Sequence, residues 1–237
     1  GFLDLASGIA VNSLGHSHPR LVKALVDQGS KLWHTSNIYT IPNQEKLAEL
    51  LTNNTFAEKV FFTNSGAESV ECAIKIARRF FFSIGQSERN RIISFEGSFH
   101  GRMMVTLSAT WNPAKREPFE WEDFKAVYSP FPDSPTGAIK ADFPNGWRKL
   151  WDQAPLKDWS VPKELKEKDP LLLKEIECLN VVRNQLNEGK IFAIIAEPMQ
   201  CEGGDRYGTD RFFTALLMMA RSFSVPVIFD EVQTGYG

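Results

Sequence analysis

The run IFAIIA at 191–196 restricts what this chain can fold into. It is apolar at every position, with no polar alternation, and Pro198 halts it. A strand of that kind has no wet face, so it must be covered on both sides, as in the parallel sheets of α/β proteins. RIISF (91–95) and VPVIF (225–229) have the same character. Between such runs the period changes. Val70, Ala73, Ile74, Ala77 and Phe81 follow helical spacing and predict a helix over 67–82. Leu172, Ile176, Leu179 and Leu186 predict another, which Gly189 stops. Asp210 is expected to cap a third, with Phe213, Leu216, Met219 and Ala220 turned inward. KVFF (59–62) and MVTLSAT (104–110) also read as strands. The expectation is a mostly parallel sheet covered by helices on both faces.

Residues 1–50 read as a segment leading into a large domain over 51–237. An excursion departs from that domain at about 111–170. It holds nine of the thirteen prolines and five of the six tryptophans, with no clear strand. A structureless loop of that length is uncommon in a compact domain. The expectation is a surface excursion, wrapped over the sheet or packed on a partner subunit, rather than a substrate lid.

Bulk properties exclude several classes of function. A net charge of −2 with no Lys/Arg cluster argues against a nucleic-acid surface. No run reaches the roughly 18 apolar residues of a spanning helix, so no membrane role is expected. Cys72, Cys178 and Cys201 are scattered without CxxC spacing, which predicts free thiols in a reducing, cytoplasmic compartment. The chain lacks a starting Met and opens in mid-pattern at GFLDLASGIAV. It reads as a piece of something longer, and an organellar leader could have preceded it.

In open α/β sheets, ligands bind outside the carboxyl ends of the strands. Four polar, glycine-bearing segments lie at such exits: TNSGAES (63–69), FEGSFHGR (95–102), EPMQCEGGD (197–205) and DEVQTG (230–235). In the first, Ser65 and Glu68 have the spacing of a capping box. Gly66 and the free N–H groups of a helix start also suit an anion. Asp230–Glu231 after an apolar run resembles the Mg²⁺-binding acid of a P-loop nucleotidase, but no Gly-Lys-Ser or Gly-Lys-Thr occurs anywhere. His16 and His18 lack the further ligands of a metal site. No GxSxG elbow supports a hydrolase. What remains is a planar heterocycle carrying a phosphate. Asp230 would hold a protonated ring nitrogen, Phe99 and Val232 would cover the two ring faces, and the turn at Gly66–Ala67 would take the phosphate. Pyridoxal 5′-phosphate fits that list.

Five segments in this order resemble the class III (ω-amino acid) pyridoxal-phosphate aminotransferases. They are LASGIAVNSLGHSHPRLVKAL, FFTNSGAESVECAIKIAR, SFEGSFHGR, IIAEPMQCEGGD and VIFDEVQTGYG, and the resemblance covers nearly the whole chain. It implies the large domain of fold type I. It also implies roles for particular residues: Gly66 and Ala67 on the phosphate, Phe99 on the ring with His100 behind it, and Arg102 on a substrate carboxylate. Glu197 would help set which end of the substrate enters. Asp230 would pair with the ring nitrogen, Val232 would pack under the ring, and Gln233 would bond its phenolic oxygen. Met103 stands where the family usually has Thr.

The implied activity is transfer of an amino group from an ω-amine to 2-oxoglutarate, giving an aldehyde and glutamate, in a homodimer. The phosphate loop looks most like acetylornithine aminotransferases. The rear signatures look more like 4-aminobutyrate or lysine 6-aminotransferases and, lying nearer the substrate-selecting glutamate, tip the expected donor to that side. The family's Schiff-base lysine is expected beyond Gly237, so the stretch as given is expected not to transaminate by itself and to be poorly soluble alone. The rival readings are a non-catalytic cofactor-binding or scaffolding protein ending near Gly237, and an aminomutase of the same family.

Overall fold

A computed structural model describes residues 1–120, 124–143 and 169–235. The chain divides into two compact units, Gly1–Thr63 with Gly235–Gly237, and Asn64–Thr234. The division falls later than position 50 because a helix runs through that position.

The first unit holds α1 (Ser7–Ala10), α2 (Pro19–Gly29) and α3 (Pro42–Asn54). Pro19 and Pro42 each open a helix, where proline's missing N–H costs nothing. Neither α2 nor α3 has a buried residue. Lys59–Phe62, expected as a strand, is irregular. Extended backbone becomes a strand only by pairing, and these residues make no backbone hydrogen bond among the described residues.

The second unit contains β1 (Arg91–Phe95), β2 (Ala126–Ser129), β3 (Ile191–Ala196), a small hairpin of β4 (Met199–Gln200) and β5 (Arg206–Tyr207), and β6 (Val227–Phe229). Strands β2-β1-β3-β6 lie side by side in that order, every pair parallel. Its helices are α4 (Gly66–Ser83), α5 (Met104–Ala109), α6 (Pro113–Arg116), α7 (Pro170–Asn187) and α8 (Asp210–Ser222). On one face, Val70, Ile74, Ala77 and Phe81 of α4 pack against Ile92, Phe192 and Ile195. On the other, α7 and α8 cover Ile93, Phe95, Ile194 and Ala196. Successive residues of β1 and β3 thus serve opposite cores, which explains why β3 is apolar throughout and β1 nearly so, its buried Ser94 donating to the Ala109 carbonyl.

Several expectations shift. Residues 104–109 form helix α5 rather than a strand. The Thr106 and Ser108 hydroxyls donate to the carbonyls of Met103 and Met104, and the Val105 N–H near the helix start donates to Glu71 of α4 at 3.0 Å. An apolar run this short carries no periodicity that separates the two states. Thr209, not Asp210, caps α8, accepting from the Phe212 N–H at 3.0 Å. Its inward face is Phe212, Ala215, Leu216, Met219 and Ala220, while Phe213 is half-buried against Phe229. The last strand starts at Val227 rather than Val225. The excursion contains α6 and the edge strand β2, so it is not free of strands. Its portion over 144–168 lies outside the described residues.

Candidate cofactor site

The chain runs from β1 to β2 on one side, then places β3 and β6 on the other. That reversal makes the gap between β1 and β3 the topological switch point of the described sheet, where α/β proteins bind ligands. The segment after β1 supplies Phe99 and His100, and Glu197 follows β3. Asp230 follows β6, tied into the ladder by its N–H to the Ala196 carbonyl at 2.9 Å.

His100 and Asp230 are both buried, and Nδ1 lies 2.8 Å from Asp230 Oδ2. A carboxylate only accepts, so Nδ1 donates. His100 Nε2 is then buried with no partner among the described residues. The second Asp230 oxygen accepts the Val232 N–H at 3.3 Å. The imidazole itself is positioned through its backbone N–H, which donates to Thr110 Oγ1 at 3.0 Å just beyond α5. The residue that follows α5 therefore anchors the backbone that carries the imidazole.

Glu197 is 6% exposed and its Oε2 accepts the Phe99 N–H at 3.1 Å. Burial pushes its carboxyl up to about 8; the Phe99 N–H opposes this, and the charges of Asp230 and Glu202 add to it. At neutral pH, Glu197 is mostly a neutral acid, one strand away from Asp230.

The start of α4 closes the site. Ser65 Oγ accepts from Glu68 N–H at 3.3 Å, and the Glu68 carboxylate reaches back to the Asn64 N–H at 2.7 Å. This is a capping box shifted by one residue at its return bond. The N–H groups of Gly66 and Ala67 have no acceptor among the described residues, the donor pattern of an anion site. A Cβ on Gly66 would come within 2.7 Å of Val232 Cγ2, so the turn packs directly against that side chain. Gly101, at φ +123°, brings the 99–102 loop beside the same turn, where an added Cβ would lie 3.1 Å from Ala67.

The structure thus brings Phe99, His100, Glu197 and Asp230 together through direct bonds, and Gly66 to Val232 by packing. Gln233 is half-buried with no bond to this group. Arg102 is exposed and makes no hydrogen bond or ion pair among the described residues. Neither His16 nor His18 joins a metal set: His16 bonds Asp4 at 2.7 Å, and no group of metal-ligating residues occurs among the described residues. The three cysteines are free. No described helix is long and apolar enough to cross a membrane. Sequence reasoning missed Lys115 and Glu202. Lys115 lies on the one-turn helix α6 and Glu202 on the turn between β4 and β5, where only their charges gave a signal.

The residues suit a flat, phosphorylated heterocycle. The site offers a buried carboxylate, an aromatic ring, and unpaired helix-start N–H groups. A parallel sheet with such groups at its carboxyl edge defines an α/β protein of the fold-type I transferase kind. A model of the family described as "Aminotransferase class-III" matches residues 1–237. The acetylornithine aminotransferase of Agrobacterium fabrum is 41% identical over 238 residues, covering 100% of this chain and 48% of the relative. That of Mesorhizobium japonicum is 63% identical over 108 residues, 46% of this chain and 27% of the relative. Among solved structures, an (S)-enantioselective omega-transaminase from Thermomicrobium roseum is 27% identical with a TM-score of 0.75, over 100% of this chain and 48% of that one. An amine transaminase from an uncultivated Pseudomonas species shares the fold, with a TM-score of 0.75 at 24% identity, over 99% of this chain and 49% of that one. The chain belongs to the class-III aminotransferase family. It spans about half the length of the curated relatives it matches.

Proposed function

We propose that this chain forms the cofactor-binding part of a pyridoxal-phosphate-dependent aminotransferase that moves the terminal amino group of N-acetylornithine to 2-oxoglutarate. The observation carrying this reading is the buried His100–Asp230 pair at the switch point of the sheet. The acetylornithine aminotransferases among its relatives favour that donor over 4-aminobutyrate or lysine. A homodimer goes with this reading.

When bound, pyridoxal phosphate supplies an electron sink for negative charge on the carbon that loses a proton. Asp230 would hold the ring nitrogen in its protonated form by a charge-assisted hydrogen bond, and His100 orients that carboxylate from behind. Phe99 and Val232 would cover the ring faces, Gly66 and Ala67 would donate to the phosphate, and Gln233 would reach the phenolic oxygen. Arg102, exposed and unpaired, is available to a substrate carboxylate. Glu197, neutral at physiological pH, presents no charge to repel that carboxylate.

The test uses the whole protein, incubated with pyridoxal phosphate, reduced with borohydride and mapped by peptide mass. One specifically labelled lysine, with glutamate formed from N-acetylornithine and 2-oxoglutarate, is expected. No specific label and no glutamate would overturn the reading. A label with glutamate only from 4-aminobutyrate or lysine would reassign the donor.

A further inference from the structure

Phe99 has a fixed backbone but a half-buried side chain, so something else must set its ring. Lys115, from α6, places its Nζ over that ring, 5.3 Å from the centroid. The same ammonium is ion-paired with Glu202 of the turn between β4 and β5. Their side chains are 30% and 46% exposed, which puts the pair at the rim of the site. Glu202 also lines a cleft of about 430 Å³, together with Trp111, Asn112, Pro113, Gly203 and Arg206. The pair therefore ties α6 to the β4–β5 turn, distant in sequence, over one face of Phe99.

We infer that Lys115, held by Glu202, is a positioning residue that backs the Phe99 ring so that its opposite face meets the cofactor. The inference rests on the reading of Phe99 as a ring-stacking residue. An aromatic face attracts an ammonium through its quadrupole, so the lysine restricts the tilt of the ring. The carboxylate of Glu202 keeps the ammonium from swinging into solvent. An isolated rim ion pair of this exposure contributes little to stability. Its consequence is instead the ordering of an aromatic surface before ligand arrives, which lowers the ordering cost of binding.

The experiment titrates pyridoxal phosphate into the whole apo-protein, following tryptophan fluorescence and the circular dichroism of the bound cofactor. Lys115→Met should weaken binding about two- to five-fold, the range of one partly exposed cation–π contact. It should also change the cofactor's dichroic band, and Lys115→Arg should restore both. Glu202→Gln should shift affinity in the same direction by less. In a Phe99→Leu background, Lys115→Met should have no further effect. The inference falls if Lys115→Met binds like the parent, or if its deficit persists undiminished with Leu at 99. A parent protein that binds no cofactor overturns the functional reading and this inference together. Binding by the parent with unaffected Lys115 variants overturns this one alone.

Discussion

Two glutamates of the second unit are equally out of reach of water and are treated in opposite ways. Glu175, on α7, is 1% exposed and fully partnered: Arg211 Nε donates at 2.6 Å and Thr209 Oγ1 at 2.5 Å. Arg211 Nη1 also holds Asp169 at 2.8 Å and the Asp142 carbonyl at 2.9 Å. Burial still pushes the Glu175 carboxyl up, with Thr209 and Arg211 drawing it back. Glu197 is 6% exposed, yet among the described residues its only bond is to one backbone N–H, and no cation pairs with it. A buried acid that is saturated with partners ties elements together. One left nearly alone at a strand exit keeps its proton and its remaining bonding capacity for something that arrives later.

The sharpest way to break this contrast is to strip the saturated site. Arg211→Leu leaves Glu175 buried without its counter-charge and frees both Asp169 and the Asp142 carbonyl. A loss of about 3–5 kcal/mol is expected, measured by denaturant unfolding. Adding Glu175→Leu should return much of that loss, since an apolar pair can replace a buried ion pair. A single-variant loss under about 1 kcal/mol would show that the clamp does not hold α7 to α8.

Next in size is the other end of the comparison. Asp230→Ala removes the carboxylate opposite His100 and leaves the buried imidazole without a bond at either nitrogen, so about 1–3 kcal/mol of stability should be lost. It should weaken pyridoxal phosphate about ten- to hundred-fold, the worth of a charge-assisted hydrogen bond. Binding is read by equilibrium titration. Unchanged affinity would leave Asp230 a structural strand cap.

Glu197 itself gives a smaller signal with a defined sign. Its folded pKa of about 8 is raised above the ordinary 4.5. Its contribution to stability is therefore fully present below pH 4.5 and is lost as pH rises through about 8. Glu197→Gln should flatten that slope. The variant should be more stable than the parent at pH 8 and near neutral at pH 4. Glu175→Gln should instead cost about 1–3 kcal/mol, because it takes the counter-charge from the buried Arg211 guanidinium. A Glu197→Gln variant as costly as Glu175→Gln at pH 8 would dissolve the distinction.

How far the sequence discloses this arrangement depends on the range of the forces involved. The parallel sheet and helices α4, α7 and α8 are legible because burial on two faces imposes a pattern every few residues. Asp230, Glu197 and Phe99 are legible as strand-exit residues. Their mutual contacts are not, because pairing between residues 99 and 197, or 100 and 230, is decided by strand order. Lys59–Phe62 misleads for a related reason, since β-propensity describes a fit to a pleated surface that here has no partner strand. Residues 104–109 mislead because a helix of six residues is fixed by what it touches: Glu71 at its start and its own hydroxyls along its length. Lys115 and Glu202 carry no periodic signal at all, and only the approach of α6 to the β4–β5 turn makes them a pair.

The smallest expected effect concerns the turn that faces the proposed phosphate. An alanine at 66 would put a methyl group 2.7 Å from Val232 Cγ2, well inside contact distance. Val232 is 53% exposed, so its side chain has room to turn away. Gly66→Ala should therefore cost less than about 1 kcal/mol in unfolding stability, at the low end for overpacking. If the strain is that one contact, Val232→Ala should relieve it, and the two substitutions should be non-additive in a double-mutant cycle. Additive losses would mean that Gly66 is required by its backbone near the ligand rather than by Val232. Cofactor affinity measured on the same four proteins separates the two: packing strain follows Val232, whereas obstruction of the Gly66 and Ala67 N–H groups persists whatever residue stands at 232.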